Sequence, residues 1–373
     1  MPAVETRHPW RAVIALAVLA GLLGRVPLMA LPLSPDEGGL LMVGSQWSPG
    51  DSVYGDYWVD RPPVLIAIFA LADLLGGAWG LRAIGILAVL VSVLLAGVLG
   101  RVVAPQLRTA ALLPAATAAL LLATPLFGAA VVDAEVLGVP LVLAGMVAAV
   151  ASSRADGSRP AFRWGLAAGA AGAGAALTKQ NLLDVFVLVV ALLVIGGLSR
   201  RSGRPRPLMA TAVGTAVGAG SAVAAALAVA AALGTSPDEL WTAVVAFRGE
   251  AAPVLLESPH SGHRLLMLSL ALLGSGAPLM VGVLLLGWRR RIGAATDADL
   301  RLAAVAVLVW EAAAVLMGGS YWLHYLTALV PGLVLLAAVS GQREAGGERS
   351  TRPLTLAYGF ATLSALCVIG WTA

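Results

Sequence analysis

The feature that most constrains this chain is a series of long apolar runs, separated by short stretches that hold most of its charge. Runs near the length that crosses a bilayer's hydrocarbon core fall at about 11–31, 82–100, 110–128, 135–152, 164–178, 182–198, 208–233, 265–287, 302–318, 323–340 and 354–371. A further apolar stretch, 63–78, is ambiguous by length alone. The composition is 59% hydrophobic and only 12% charged, with a mean hydropathy of +0.90. A soluble domain carries about twice that charge. At 373 residues no single globular core hides so much apolar surface, so lipid must solvate much of it. The predicted fold is therefore an all-α polytopic membrane protein, organised as one membrane-embedded domain over 1–373.

The arginines settle the ambiguous stretch. They cluster at Arg7/Arg11, Arg101/Arg108, Arg154/Arg159/Arg163, Arg200/Arg201/Arg204/Arg206, Arg289/Arg290/Arg291 and Arg343/Arg349/Arg352. The positive-inside rule places such clusters in the cytoplasm. All of them fit only if 62–100 crosses once. The stretch 63–78 is then a juxtamembrane helix on the outer face, in a model of about eleven transmembrane helices. The N-terminus lies inside, the first apolar run is a retained span, and the outer loops include 32–81 and 234–264. The net charge of +4 thus reports topology and gives no sign of nucleic-acid binding. The single cysteine, Cys367, excludes an internal disulfide and a cysteine metal site. The run 165–177 is small on every face and reads as close helix packing.

The acids gather at the outer edge. Asp36-Glu37 follows the first span, and such a pair can bind a cation, accept a proton or face water. Asp60-Arg61-Pro62-Pro63 follows an aromatic stretch from Tyr54 to Trp58 that suits the headgroup region. Arg61 opposes the topological bias, and its planar fork suits a phosphate. Asp133 and Glu135 lie in an otherwise apolar sequence, where an ionised carboxylate costs roughly 2.5–3.5 kcal/mol at lipid depth and usually faces a polar cavity. Lys179, the only lysine, also lies outside and is a candidate phosphate or carboxylate partner, with Asp184 in sequence reach. His324-Tyr325 starts a later span on the outer side, Glu311 lies within a span, and Arg248 flanks the 234–264 loop with His260, His263 and Arg264. No phosphate-binding glycine loop, zinc-binding histidine pair or nucleophile elbow is present.

In order along the chain, Asp36-Glu37, Asp60-Arg61-Pro62-Pro63, Asp133, Leu177-Thr178-Lys179 and His324-Tyr325 with Pro331 resemble the membrane-embedded GT-C glycosyltransferases. The likeness is to the branch holding protein O-mannosyltransferases and bacterial aminoarabinose transferases. Arg61 stands where that family carries lysine, Gln180 where it carries glycine, and Gly38-Gly39 follow the acidic pair. The soluble C-terminal domain of several relatives has no counterpart, which leaves acceptor recognition to 234–264. The resemblance implies a cell-membrane enzyme with an extracytoplasmic active face. It would move a sugar from a polyprenyl-phosphate carrier to an acceptor hydroxyl on a glycan, lipid or protein. Asp36, Glu37 and Asp133 would be catalytic, with Asp36 as base. Arg61, Lys179, Arg248, His324 and Tyr325 would bind the donor phosphate. Asp60 and Asp133 would hold a divalent metal cation if one is used. The competing class is a transporter or lipid flippase, which calls for acids along a mid-membrane path and paired repeats.

Overall fold

The computed structural model describes residues 9–48, 52–198, 207–256, 259–289, 298–340 and 352–372. Arg7, the cluster from Arg200 to Arg206, Arg290, Arg291, Arg343, Arg349 and the acids Asp51 and Glu257 lie outside these residues. Among the described residues the chain is helical, with no strand and one isolated bridge between Ser52 and Gly55.

Helix α1 spans Pro9–Arg25 and continues into a 3-10 turn, Val26–Ala30. Helix α2 spans Pro35–Ser45, and α3 spans Pro63–Leu74. Then come α4 (Ala78–Val103), α5 (Leu112–Ala123), α6 (Ala134–Ser153), α7 (Ser158–Ala176) and α8 (Asp184–Leu198). Helix α9 covers Leu208–Ala232; α10 (Pro237–Trp241) and α11 (Phe247–Leu256) flank a π-helical turn, Thr242–Ala246. The chain closes with α12 (Ser261–Gly274), α13 (Ala277–Arg289), α14 (Ala298–Met317), a 3-10 segment Leu323–Leu329, α15 (Val330–Ser340) and α16 (Arg352–Thr372).

Each apolar run carries helix, so the membrane class stands. Among the described residues, six helices are long and apolar enough to cross alone, or seven if α12 and α13 make one span. The run expected as a single span at 265–287 is bent by 54° between those two helices. Ser275 and Gly276 break it, and Gly276 takes the left-handed φ of +77° that a side chain resists. The 63–78 stretch is a separate short helix, α3, turned away from α4 at Gly76-Gly77, both at positive φ.

The small-residue run forms the body of α7 and packs against α9. A Cβ at Gly169 would stand 2.0 Å from the Thr215 carbonyl oxygen, and one at Gly218 would stand 2.0 Å from that of Leu166. Close backbone approach through small residues is how helices associate where lipid removes the hydrophobic drive. The main core runs through α1, α4, α5, α6, α8, α14 and α15. A second core of Val43, Val53, Tyr54, Ile66, Ala230, Leu240 and Ala243 joins the two expected outer loops. Tyr54 is therefore not a headgroup anchor. It is fully buried, donates its hydroxyl to the Arg61 carbonyl at 2.8 Å, and meets Trp47 edge-on.

Candidate active site

The acidic pair Asp36-Glu37 lies in a helix rather than in the loop that the sequence reading drew. Ser34 caps α2: its hydroxyl accepts from the Glu37 N–H at 3.2 Å, and its own N–H donates to Glu37 Oε2 at 2.8 Å. Pro35 occupies the first turn, where its missing N–H costs nothing. The two acids part company here. Asp36 is exposed, whereas Glu37 is buried to 1%. Glu37 pairs with Arg82 of α4 and accepts from the Val132 N–H at 2.8 Å. Arg25 of α1 donates to the carbonyls of Ala129 and Val131 at 2.7 and 3.0 Å. Arg25 thus fastens the segment before α6 to the end of α1, and Arg82 links that segment to Glu37 at the start of α2. Sequence reasoning passed over both. Their signal was an arginine at the expected outer end of an apolar run.

That fastened segment delivers Asp133, which caps α6 through a 3.2 Å bond from the Val136 N–H to Oδ1. Its Oδ2 has no donor and is buried, with His324 Nδ1 3.4 Å away but not aligned for a hydrogen bond. Burial pushes the Asp133 carboxyl up to about 6, against the pull of His324. Asp133, Glu135 and His324 bring one ligand atom each to within 4.8 Å of one another. Carboxylate and imidazole donors around an orphaned buried oxygen fit a divalent cation. Asp60 is not in this group. Its carboxylate is taken by Arg61 and, at 3.1 Å, by Arg248.

Lys179 does not turn to Asp184. It pairs with Glu135 and lies 4.1 Å from the centre of the Tyr325 ring, while Asp184 faces Glu311 instead. The reason is placement: Lys179 ends the turn after α7, beside the first turn of α6, and Asp184 points into the bundle from the start of α8. Tyr325 meets His324 edge-on at 5.1 Å. Arg248, from α11, joins this group to the first loop, being close enough to feel Arg61, Asp60, Tyr325 and Glu135. Burial, then the nearby Arg61, hold its guanidinium below the ordinary arginine value. Trp58 packs against Phe247 at the start of α11 at 4.6 Å, and Gln180 donates to the Val244 carbonyl of the π-helical turn before it at 3.1 Å.

Seven of the expected residues therefore form one connected set: Asp60, Arg61, Arg248, Tyr325, Lys179, His324 and Asp133, with Glu135 added. Glu37 reaches it through Val132, the residue before Asp133. His260 and His263 are exposed, and Arg264 stacks 3.9 Å from the centre of the Trp322 ring.

The fold has counterparts among solved structures. It matches ArnT from Cupriavidus metallidurans, solved with undecaprenyl phosphate bound. The TM-score is 0.62 at 21% identity, over 95% of this chain and 63% of that one. It also matches the Archaeoglobus fulgidus oligosaccharyltransferase solved with zinc and sulfate, at a TM-score of 0.60 and 14% identity, over 96% of this chain and 51% of that one. The same archaeal enzyme, AglB, solved with an inhibitory peptide and a dolichol-phosphate, gives 0.60 at 12% identity, over 98% of this chain and 56% of that one. The chain thus spans less than two thirds of each of these proteins. No family model and no curated protein matches it.

Proposed function

We propose that this protein is a membrane glycosyltransferase that takes a sugar from a polyprenyl-phosphate carrier and passes it to an acceptor hydroxyl on the extracytoplasmic face of the cell membrane. One observation carries the reading. Cations and carboxylates from five separate parts of the chain converge at one place, on a fold shared with proteins solved with undecaprenyl phosphate and dolichol-phosphate. A flippase reading would want acids strung along the bundle. Among the described residues, Asp184 and Glu311 are the only buried acids besides Glu37, Asp133 and Glu135.

In this reaction the acceptor oxygen attacks the anomeric carbon and the bond from that carbon to the carrier phosphate oxygen breaks. The acceptor's proton passes to a base, and the carrier phosphate leaves with the bonding pair. Single displacement inverts the anomeric configuration. The leaving phosphate is a stable anion, so positive charge suffices to stabilise it. Arg248 and Arg61 are suited to this, since two guanidiniums share one carboxylate, Asp60, and leave positive charge unmatched. An anion beside Arg248 would relieve the strain that its burial and Arg61 impose. Lys179, held by Glu135 against Tyr325, adds charge at a fixed position. A divalent cation on Asp133, Glu135 and His324 would supply further charge for the phosphate. Asp36 is the base in this account, being exposed while its neighbour Glu37 is locked to Arg82. Glu37 is then a positioning residue, not a catalytic one.

The test is Asp36→Asn in purified protein, with undecaprenyl phosphate binding measured beside sugar transfer. The account expects binding to persist while transfer falls by at least about 100-fold, the scale of general-base loss. Near-normal transfer would remove Asp36 as the base. Absence of undecaprenyl phosphate binding in the wild type would remove the carrier assignment.

A further inference from the structure

Two buried carboxyl groups take no part in the reaction above. Asp184 opens α8 and Glu311 lies in α14, each with 1% of its surface exposed. Helix α8 packs against α14, which brings the two carboxyl groups together. Glu311 Oε1 accepts from the backbone N–H of Gly332 in α15 at 2.6 Å. Glu311 Oε2 and both Asp184 side-chain oxygens have no donor. No lysine, arginine or histidine contributes to the electrostatics of either group among the described residues. The helices that hold them supply buried hydrocarbon here, including Val185, Leu188, Val307 and Ala314.

An ionised carboxylate only accepts hydrogen bonds. Two of them face to face would leave like charges in an apolar interior with nothing between, an arrangement that buried groups avoid by changing protonation. We propose that Asp184 and Glu311 form a carboxylic acid–carboxylate pair that holds a proton between them and ties α8 to α14 and α15. The proton turns two opposed acceptors into a charge-assisted O–H···O⁻ bond, the strong class of hydrogen bond. A metal cation fits less well. Three free oxygens are too few for calcium, which takes about 6–8, or for the octahedral shell of magnesium.

The placement gives the pair a purpose. Trp310, next to Glu311, donates its indole N–H to the Asn181 carbonyl at 3.2 Å. Helix α14 therefore grips both the start of α8 and the turn that carries Lys179. Helix α15, which supplies Gly332, follows the segment bearing His324 and Tyr325. The pair fastens the frame behind these side chains, whatever reaction they perform.

The experiment is infrared difference spectroscopy in detergent, wild type minus the Asp184→Asn/Glu311→Gln double variant. A protonated-carboxyl C=O band that shifts in deuterated water is expected. Two ionised carboxylates without that band would overturn the proposal. Glu311→Gln alone keeps the test open if the double variant does not fold. Its amide supplies a permanent donor to Asp184, so its Tm should stay within about 3 °C of the wild type, a shift on the order of 1 kcal/mol. A larger drop would overturn the proposal. Melting in sodium and in choline buffers of equal ionic strength should coincide. Stabilisation by sodium that both variants lack would assign the site to a metal cation instead.

Discussion

Replacing Arg82 with alanine should unfold this protein well below its wild-type temperature, although Arg82 touches no expected substrate. Its side chain is 6% exposed and that of Glu37 is 1% exposed. The substitution leaves Glu37 buried, with the N–H groups of Val132 and Ser34 as its remaining donors, each at 2.8 Å. Breaking one side of a buried pair costs about 3–5 kcal/mol. A chain of this size loses roughly 2 °C of Tm per kcal/mol, so a fall of roughly 6–10 °C follows. The assay is thermal unfolding in detergent, read by tryptophan fluorescence. Glu37→Gln combined with Arg82→Gln removes both charges and should recover part of the loss, because no lone buried charge remains. The reasoning fails if Arg82→Ala melts within about 2 °C of the wild type, or if the losses of the two single glutamine variants simply add in the double.

Other substitutions probe the connected set. Arg248→Ala should weaken undecaprenyl phosphate binding by roughly 10–100-fold, the worth of one charge-assisted hydrogen bond, measured by calorimetry. Lys179→Met should destabilise by about 3 kcal/mol because it strands the buried Glu135, and adding Glu135→Gln should restore much of that in melting curves. Gly128→Ala should lower both Tm and transfer rate: its φ is +78° and a Cβ would stand 2.5 Å from His324 Cα, so His324 must move. Chelation with EDTA should reduce transfer in the wild type, and Asp133→Asn should reduce divalent-ion binding in direct titration.

The membrane class was legible because it rests on length and hydropathy, which need no tertiary information. The span count was less so. The run at 265–287 is almost entirely apolar, and the short Ser275-Gly276 pair marks its break. The start of α2 was legible and passed over. Ser34-Pro35-Asp36-Glu37 is a capping box with proline in the first turn, and the same four residues recur at Ser236-Pro237-Asp238-Glu239 with the same bonds. Within the candidate site, residue types in order along the chain pointed to Asp133, Lys179, His324 and Arg61, which the structure brings into one neighbourhood. Pairing was another matter. That Lys179 takes Glu135 and Glu37 takes Arg82 depends on how α4, α6 and α7 cross, which no local pattern encodes. Asp184 and Glu311 lie 127 positions apart, and only the packing of α8 on α14 reveals that they meet.

The central claim is that a polyprenyl-phosphate sugar is consumed at this site. It is tested most directly by mass spectrometry of polyprenyl-phosphate sugars and envelope glycans in cells lacking the protein, complemented with the wild type or with Asp36→Asn. The account predicts that one lipid-phosphate sugar accumulates and one glycan modification disappears, with rescue by the wild type alone. Unchanged donor pools and glycans in the deletion, or full rescue by Asp36→Asn, would contradict it.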